Sequence, residues 1–151
     1  MTYLIRVLLP TEKLMHKVSF REKLLCAFCY MGAFFSIIAW FPLLWLIISN
    51  LRKVYIKEFV RYHCYQAILF NMLAYFLPDL FNLLTSFFSN LLSLMVVFDG
   101  TIAMITSLKA WILATYHLFI QFVSAYAIIW TLRGKYTYLP PISQAVNSIL
   151  R

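Results

Sequence analysis

The stretch from Leu24 to Leu51, LLCAFCYMGAFFSIIAWFPLLWLIISNL, contains no charged residue. As a single α-helix it would be about 42 Å long, which exceeds the ~30 Å hydrocarbon core of a bilayer. Pro42 lies near its middle, where it would either kink one tilted helix or mark the bend between two half-spans. The stretch therefore predicts a membrane-embedded segment with a break near its centre.

The composition of the whole chain agrees with a membrane protein. Of its 151 residues, 64% are hydrophobic and 12% are charged, whereas soluble domains have about 45–50% apolar and roughly 25% charged residues. A soluble chain of this length could not bury so much apolar surface. This excludes a soluble enzyme, a disordered chain and a disulfide scaffold, and we predict an all-α, polytopic integral membrane protein.

The apolar runs and basic clusters divide the chain into three regions. Residues 1–23 form a basic amphipathic arm, with a short helix predicted over 11–20 and a capping box at Ser19 and Glu22. Residues 24–132 hold the hydrophobic segments 24–51, 62–79, 80–98 and 101–132. A basic hinge over 52–61 contains Arg52, Lys53, Lys57 and Arg61. Residues 133–151 form a tail with helically spaced apolar residues, so we expect about four hydrophobic helices with short amphipathic interfacial helices at both ends.

The net charge of +8 is concentrated in three clusters. Of the 13 Lys and Arg residues, five precede Leu24, four lie in 52–61 and three follow Leu132. In a membrane protein this pattern indicates orientation rather than nucleic-acid binding. All three clusters share one side if 24–51 enters and returns as a tight hairpin, whereas four straight spans would place 52–61 on the opposite side. We favour the hairpin, since 24–51 is short for two full crossings; both alternatives put the two termini on one side.

Polar residues within the apolar segments are the candidates for function, because such residues are costly in lipid. The candidates on the second segment are His63, Gln66 and Asn71, and those on the last segment are His117, Gln121 and Ser124. One interpretation is a hydrophilic path or a contact with a polypeptide in transit. The alternative is hydrogen bonding between helices, which contributes about 0.6–2 kcal/mol per bond in membranes.

Neither the cysteines nor any sequence motif indicates catalysis. Cys26, Cys29 and Cys64 are an odd number and do not form a disulfide framework. With His63 they could complete a four-ligand zinc set, but no other feature supports a metal site, and we expect packing residues. No Ser-His-Asp candidate, H-E-x-x-H or P-loop occurs. We expect no enzymatic activity, cofactor or metal.

Two further stretches, FVRYHCYQAIL over 59–69 and RGKYTYLPPISQAV over 133–146, resemble a known family. The pair is similar to the twenty-kilodalton subunit family of Tic, the protein translocon of the chloroplast inner envelope. That family has a basic-aromatic segment running into Q-A-I-L at the start of a span, and a G-x-Y-x-x-P-like tail after its last span. The matching positions are Arg61, His63, Gln66, Ala67, Gly134, Tyr136, Pro140 and Ala145.

The resemblance implies a multi-pass protein of the plastid inner envelope membrane, with both termini on the stromal side and a role in preprotein import. It implies a contribution to the protein-conducting channel, with other translocon subunits, preproteins in transit, membrane lipids and further copies of the chain as partners. We predict neither a secretory signal nor a transit peptide in residues 1–23, which would correspond to a plastid-encoded member.

The chain departs from the family in a short region before the basic hinge and a long insertion over 80–108. A group of small bacterial membrane proteins of unknown role shares a similar layout. The alternative function is therefore a non-transport membrane scaffold that packs with partner subunits and anionic lipid.

Overall fold

In the computed structural model, which describes residues 18–94 and 99–150, the described chain is helical and contains no strand. Within residues 18–94 and 99–150, five α-helices follow one another: α1 Phe20–Tyr30, α2 Phe41–Leu51, α3 Glu58–Leu94, α4 Asp99–Leu132 and α5 Pro140–Ile149. Two short 3₁₀ turns, Met31–Ala33 and Ile38–Trp40, join α1 to α2. The all-α prediction is confirmed for the described residues, whereas most of the helix predicted over 11–20 lies outside them.

The uncharged stretch folds as two half-length helices separated by a break. α1 and α2 have 11 residues each, so each is about 16 Å long and too short to cross a ~30 Å hydrocarbon core. Pro42 lies in the first turn of α2, as the second residue of the helix, instead of kinking one long helix, and its missing amide favours that position. The Lys57 ammonium, just before α3, lies 2.9 Å from a Glu22 carboxylate oxygen in the first turn of α1. The segment therefore leaves and returns to the same end of the molecule, in agreement with the predicted hairpin.

The start of α1 follows the predicted capping pattern. The amide of Ser19 donates to Glu22 Oε2 at 2.9 Å, and Ser19 itself is extended. This satisfies one of the amides left free at a helix N-terminus. At the other end of the hairpin, Lys53 adopts a positive φ of 52° and ends the turn after α2.

The two long helices differ from the predicted segments. α3 continues through Pro78, so the predicted segments 62–79 and 80–98 are not separate helices, and it begins at Glu58, inside the predicted hinge. The Tyr116 hydroxyl of α4 donates to the carbonyl oxygen of Leu73, beside the Ala74 carbonyl whose helical partner the proline removes. The ranges Glu58–Ser93 and Gly100–Leu132 are long and apolar enough to span a bilayer.

The tail returns to the bundle through α5. Ile142 and Val146 are buried, as the helical spacing predicts, but Ile149 is 53% exposed. Ser143, which the sequence places on the polar face, is fully buried. Ser143 can be buried where α5 packs on α3 because its hydroxyl has hydrogen-bond partners there.

Candidate functional site

A buried hydrogen-bonded cluster joins α1, α3 and the tail. The Tyr30 hydroxyl at the end of α1 lies 3.0 Å from His63 Nδ1 and donates to Gln66 Oε1 at 2.8 Å. His63 and Gln66 are three residues apart on α3, so both project from the same helix face. All three side chains are fully buried. With the hydroxyl proton directed to Gln66, His63 Nδ1–H is the donor to the tyrosine oxygen.

Gln66 also fastens the tail to α3. Its amide nitrogen donates to the Thr137 carbonyl oxygen and to Ser143 Oγ, each at 3.0 Å. Ser143 Oγ accepts a second bond from the Leu139 amide at 2.8 Å, just before α5. The Tyr62 hydroxyl donates to the same Thr137 carbonyl at 3.2 Å. Both polar atoms of the Gln66 side-chain amide are therefore hydrogen-bonded, and they connect α3 to α1 and to the tail.

Aromatic rings surround His63 within this cluster. Tyr136 stacks on the imidazole, with centroids 5.9 Å apart and an interplanar angle of 12°. Phe59 and Tyr62 meet the imidazole edge to face, at centroid distances of 4.5 and 5.5 Å. Burial raises the pKa of the Tyr136 phenol. His63 Nε2 has no hydrogen-bond partner in the described chain, and the enclosure gives the imidazole no access to an external reactant.

A second set of side chains covers the break between α1 and α2. Asn71 Nδ2 donates to the carbonyl oxygens of Cys29, at 3.3 Å, and Ala39, at 3.2 Å. The Tyr75 hydroxyl donates to the carbonyl of Gly32, and Ser124 Oγ of α4 donates to the Tyr30 carbonyl at 2.7 Å. A broken helix leaves carbonyls that must be satisfied by protein at membrane depth. Asn71, Tyr75 and Ser124 supply those donors.

The polar stripe predicted on α4 is divided by the fold. Ser124 is fully buried, whereas His117 and Gln121 are exposed and make no hydrogen bond within the described residues. The six candidates, His63, Gln66, Asn71, His117, Gln121 and Ser124, therefore fall into a buried set that makes contacts between helices and an exposed set. The four buried side chains bond to other parts of the chain, and only His117 and Gln121 face outward.

The basic hinge residues are also placed differently from one another. Arg52, Lys53 and Arg61 are exposed, while Lys57 pairs with Glu22. The Arg61 guanidinium lies 6.0 Å from the Tyr65 ring centroid. The three exposed cations, Arg52, Lys53 and Arg61, remain available to anionic partners at this end of the molecule.

The cysteines pack within the core. Cys26, Cys29 and Cys64 are free and fully buried. Cys29 Sγ and Cys64 Sγ are 3.9 Å apart, at the contact of α1 with α3. Among the described residues no group of three or more His, Cys, Asp or Glu side chains could hold a metal ion.

The positions that carry the family resemblance have distinct places in the fold. His63, Gln66 and Tyr136 form the cluster, and Ala67 is fully buried beside it. Gly134 has a φ of +76° and ends α4, and Pro140 is the first residue of α5. Arg61 and Ala145 remain exposed, and their side chains form no hydrogen bond or ion pair within the described chain.

Sequence reasoning missed three members of the cluster. Tyr30, Thr137 and Ser143 are fully or almost fully buried and bond directly to it. Tyr30 lies in the apolar run and has no polar neighbour, so no local pattern distinguishes it. Ser143 follows two prolines at a helix start, a position typical of a residue that bonds the preceding turn, and this was the available signal.

Comparisons of the chain with known protein families, with curated proteins and with solved structures find no match.

Proposed function

We propose that the chain is a membrane subunit of a preprotein translocon at the plastid inner envelope, where it takes part in protein import. In this proposal it is a multi-pass protein with stromal termini that acts with other translocon subunits and with preproteins in transit. Two helices support the membrane location, since they are long and apolar enough to span a bilayer.

The observation that carries the proposal is the contact between the two stretches that resemble the family. Residues 59–69 and 133–146 are far apart in sequence, yet Gln66 donates to both Thr137 and Ser143, and Tyr136 stacks on His63. The two stretches therefore pack into one buried cluster, as expected if both belong to one folding unit. This supports the relationship from which the import function is inferred.

The outward face of α4 is the proposed contact for a partner subunit or a preprotein. His117 and Gln121 lie one turn apart on this helix, and both are exposed. Polar side chains of a spanning helix are costly in lipid and usually face protein or a water-filled cavity. A channel in this proposal is formed between chains, with this face toward it, because the interior polar groups are already bonded.

Photocrosslinking during import tests this proposal. A photoreactive amino acid replaces Gln121 in one variant and Phe119 in a control; Phe119 is 62% exposed on another face of α4. In isolated plastids that import an arrested preprotein, we expect adducts to the preprotein or a translocon subunit from position 121 only. Absence of adducts at every α4 face, with import intact after depletion of the chain, would reject the import function.

One observation favours the alternative scaffold function. Gln66, Asn71 and Ser124 all bond within the chain, so they stabilise helix packing without a transport role. A pure scaffold predicts that replacing His117 and Gln121 by leucine preserves both import and complex assembly. The translocon proposal predicts that this double variant folds but imports more slowly, which an import time course measures.

A further inference from the structure

We infer that the groove between α3 and α5 binds an acyl chain of an anionic glycerophospholipid whose phosphate is held by Arg61. The inference rests on membrane insertion of α3, which the proposed function also assumes, and not on a role in import. Arg61 and Ala145 both match the family named above, yet they are exposed and lie outside the buried cluster, so the cluster gives no reason for these two residues.

The groove has the shape and lining of an acyl-chain site. Its volume is about 300 Å³, and its walls are apolar throughout. The lining includes Leu69, Met72, Leu73 and Phe76 from α3, and Pro141 and Ala145 from α5. A groove on a spanning helix faces lipid tails, and a lining without polar groups offers nothing to an extended peptide, whose backbone amides need partners at this depth.

The order of residues along α3 fits a lipid with its headgroup toward the basic end. Arg61, Tyr65, Leu69, Met72 and Phe76 follow one another at helical spacing on one side of α3. Arg61 precedes Leu69 by eight residues, or about 12 Å. That interval accommodates the headgroup and glycerol region before the chain enters the groove. Tyr65, between them, is an aromatic residue of the kind found at the membrane interface.

The charge at the headgroup position favours an anionic lipid. Arg61 is exposed, and no carboxylate of the described chain lies within 4.0 Å of its guanidinium, although Glu58 is one turn earlier. Arginine binds phosphate in a bidentate manner and stays charged at all relevant pH values. Exposed Arg52 and Lys53 add positive charge nearby in sequence, which increases the attraction for an anionic headgroup.

Photolabelling with lipids tests the site in the full-length protein. The protein is reconstituted in phosphatidylcholine vesicles that contain a minority of phosphatidylglycerol, with a diazirine on an acyl chain of one lipid or the other. Peptide mass spectrometry locates the adducts. We expect phosphatidylglycerol adducts to concentrate on 69–76 and 141–145, and Ala145→Trp to remove them by filling the groove. Leu83→Trp, farther along the exposed surface of α3, is the matched control and leaves them unchanged.

The Arg61→Gln variant separates the headgroup contact from the groove. We expect its labelling by phosphatidylglycerol to fall about fivefold relative to phosphatidylcholine, the factor associated with one cation near an anionic surface. Equal labelling along all of α3, or labelling unaffected by Ala145→Trp, would overturn the inference. Circular dichroism confirms that each variant is folded. Because labelling requires no preprotein, the lipid site can stand if import fails, and it can fail while import stands.

Discussion

Gly32 occupies the most crowded point of the break between α1 and α2. A Cβ added there would lie 2.5 Å from Asn71 Nδ2 and 2.6 Å from the Ala39 Cα. The Asn71 amide could swing away only by giving up its bonds to the Cys29 and Ala39 carbonyls. The Ala39 Cα belongs to the backbone, so the bend itself would have to open.

We therefore expect Gly32→Ala to destabilise the protein by about 1–3 kcal/mol, the usual cost of overpacking. Thermal unfolding in detergent, followed by circular dichroism, measures the change. Gly100→Ala is the matched control, because nothing lies within 4 Å of a Cβ built at Gly100. Equal stability of the two variants would mean that the close packing at the bend is absent in the folded protein.

Two glutamines on neighbouring helices provide a second comparison at the residue scale. Gln66 is fully buried with three hydrogen bonds to Tyr30, Thr137 and Ser143, whereas Gln121 is exposed with none in the described chain. At ~0.6 kcal/mol per hydrogen bond in membranes, Gln66→Leu should lose roughly 2 kcal/mol. Gln121→Leu should leave the unfolding temperature unchanged. If both variants unfold alike, the buried cluster does not stabilise the tail.

At the scale of elements, the ion pair between Glu22 and Lys57 holds the two ends of the hairpin together. The hydrogen bond from Lys57 is the main cause that lowers the pKa of the Glu22 carboxyl. A carboxyl whose pKa is lower in the folded state contributes stability above its unfolded pKa, about 4.3 for Glu. That contribution is lost as the pH falls through the folded-state pKa.

We expect this pair to contribute at most about 1 kcal/mol, because Lys57 is half exposed and surface pairs are weak. Unfolding of the wild type and of Glu22→Gln is compared from neutral to acidic pH. The stability difference between them should shrink as the pH falls below the pKa of Glu22. A constant difference across that range would show that the carboxylate charge does not stabilise the hairpin.

The elements also show which features a sequence can predict. The length of the uncharged run and the positions of the basic clusters favoured the hairpin over four straight spans, because helix length and charge distribution can both be read from the sequence. Pro78 was misleading because a long helix can continue through a proline when another helix packs against it, and the packing of α4 on α3 cannot be read from the sequence around residue 78. Helical spacing placed His117, Gln121 and Ser124 on one face of α4. It could not predict that the end of α1 packs against Ser124, whose hydroxyl donates to the Tyr30 carbonyl.

At the scale of the whole molecule, two isolated charges suggest where the far membrane surface lies. The Tyr116 hydroxyl bonds to the Leu73 carbonyl, which sets the register of α3 against α4. Asp79 is six residues beyond Leu73 and Lys109 is seven residues before Tyr116, so both lie about 10 Å past that contact on their helices. Residues 62–78 of α3 and 110–132 of α4 then span about 26 and 34 Å, close to the ~30 Å core.

This arrangement predicts a topology that cysteine labelling can test. We expect Tyr55→Cys, in the loop before α3 where Tyr55 is 89% exposed, and Asn147→Cys on α5 to react with an impermeant maleimide from the same side of sealed vesicles. Ser93→Cys, at the other end of α3, should react only from the opposite side. The unsubstituted protein is the control, since its three cysteines are fully buried. Labelling of positions 55 and 147 from opposite sides would mean that only one of α3 and α4 crosses the membrane, because these are the two long helices between the labelled positions, and it would contradict this topology.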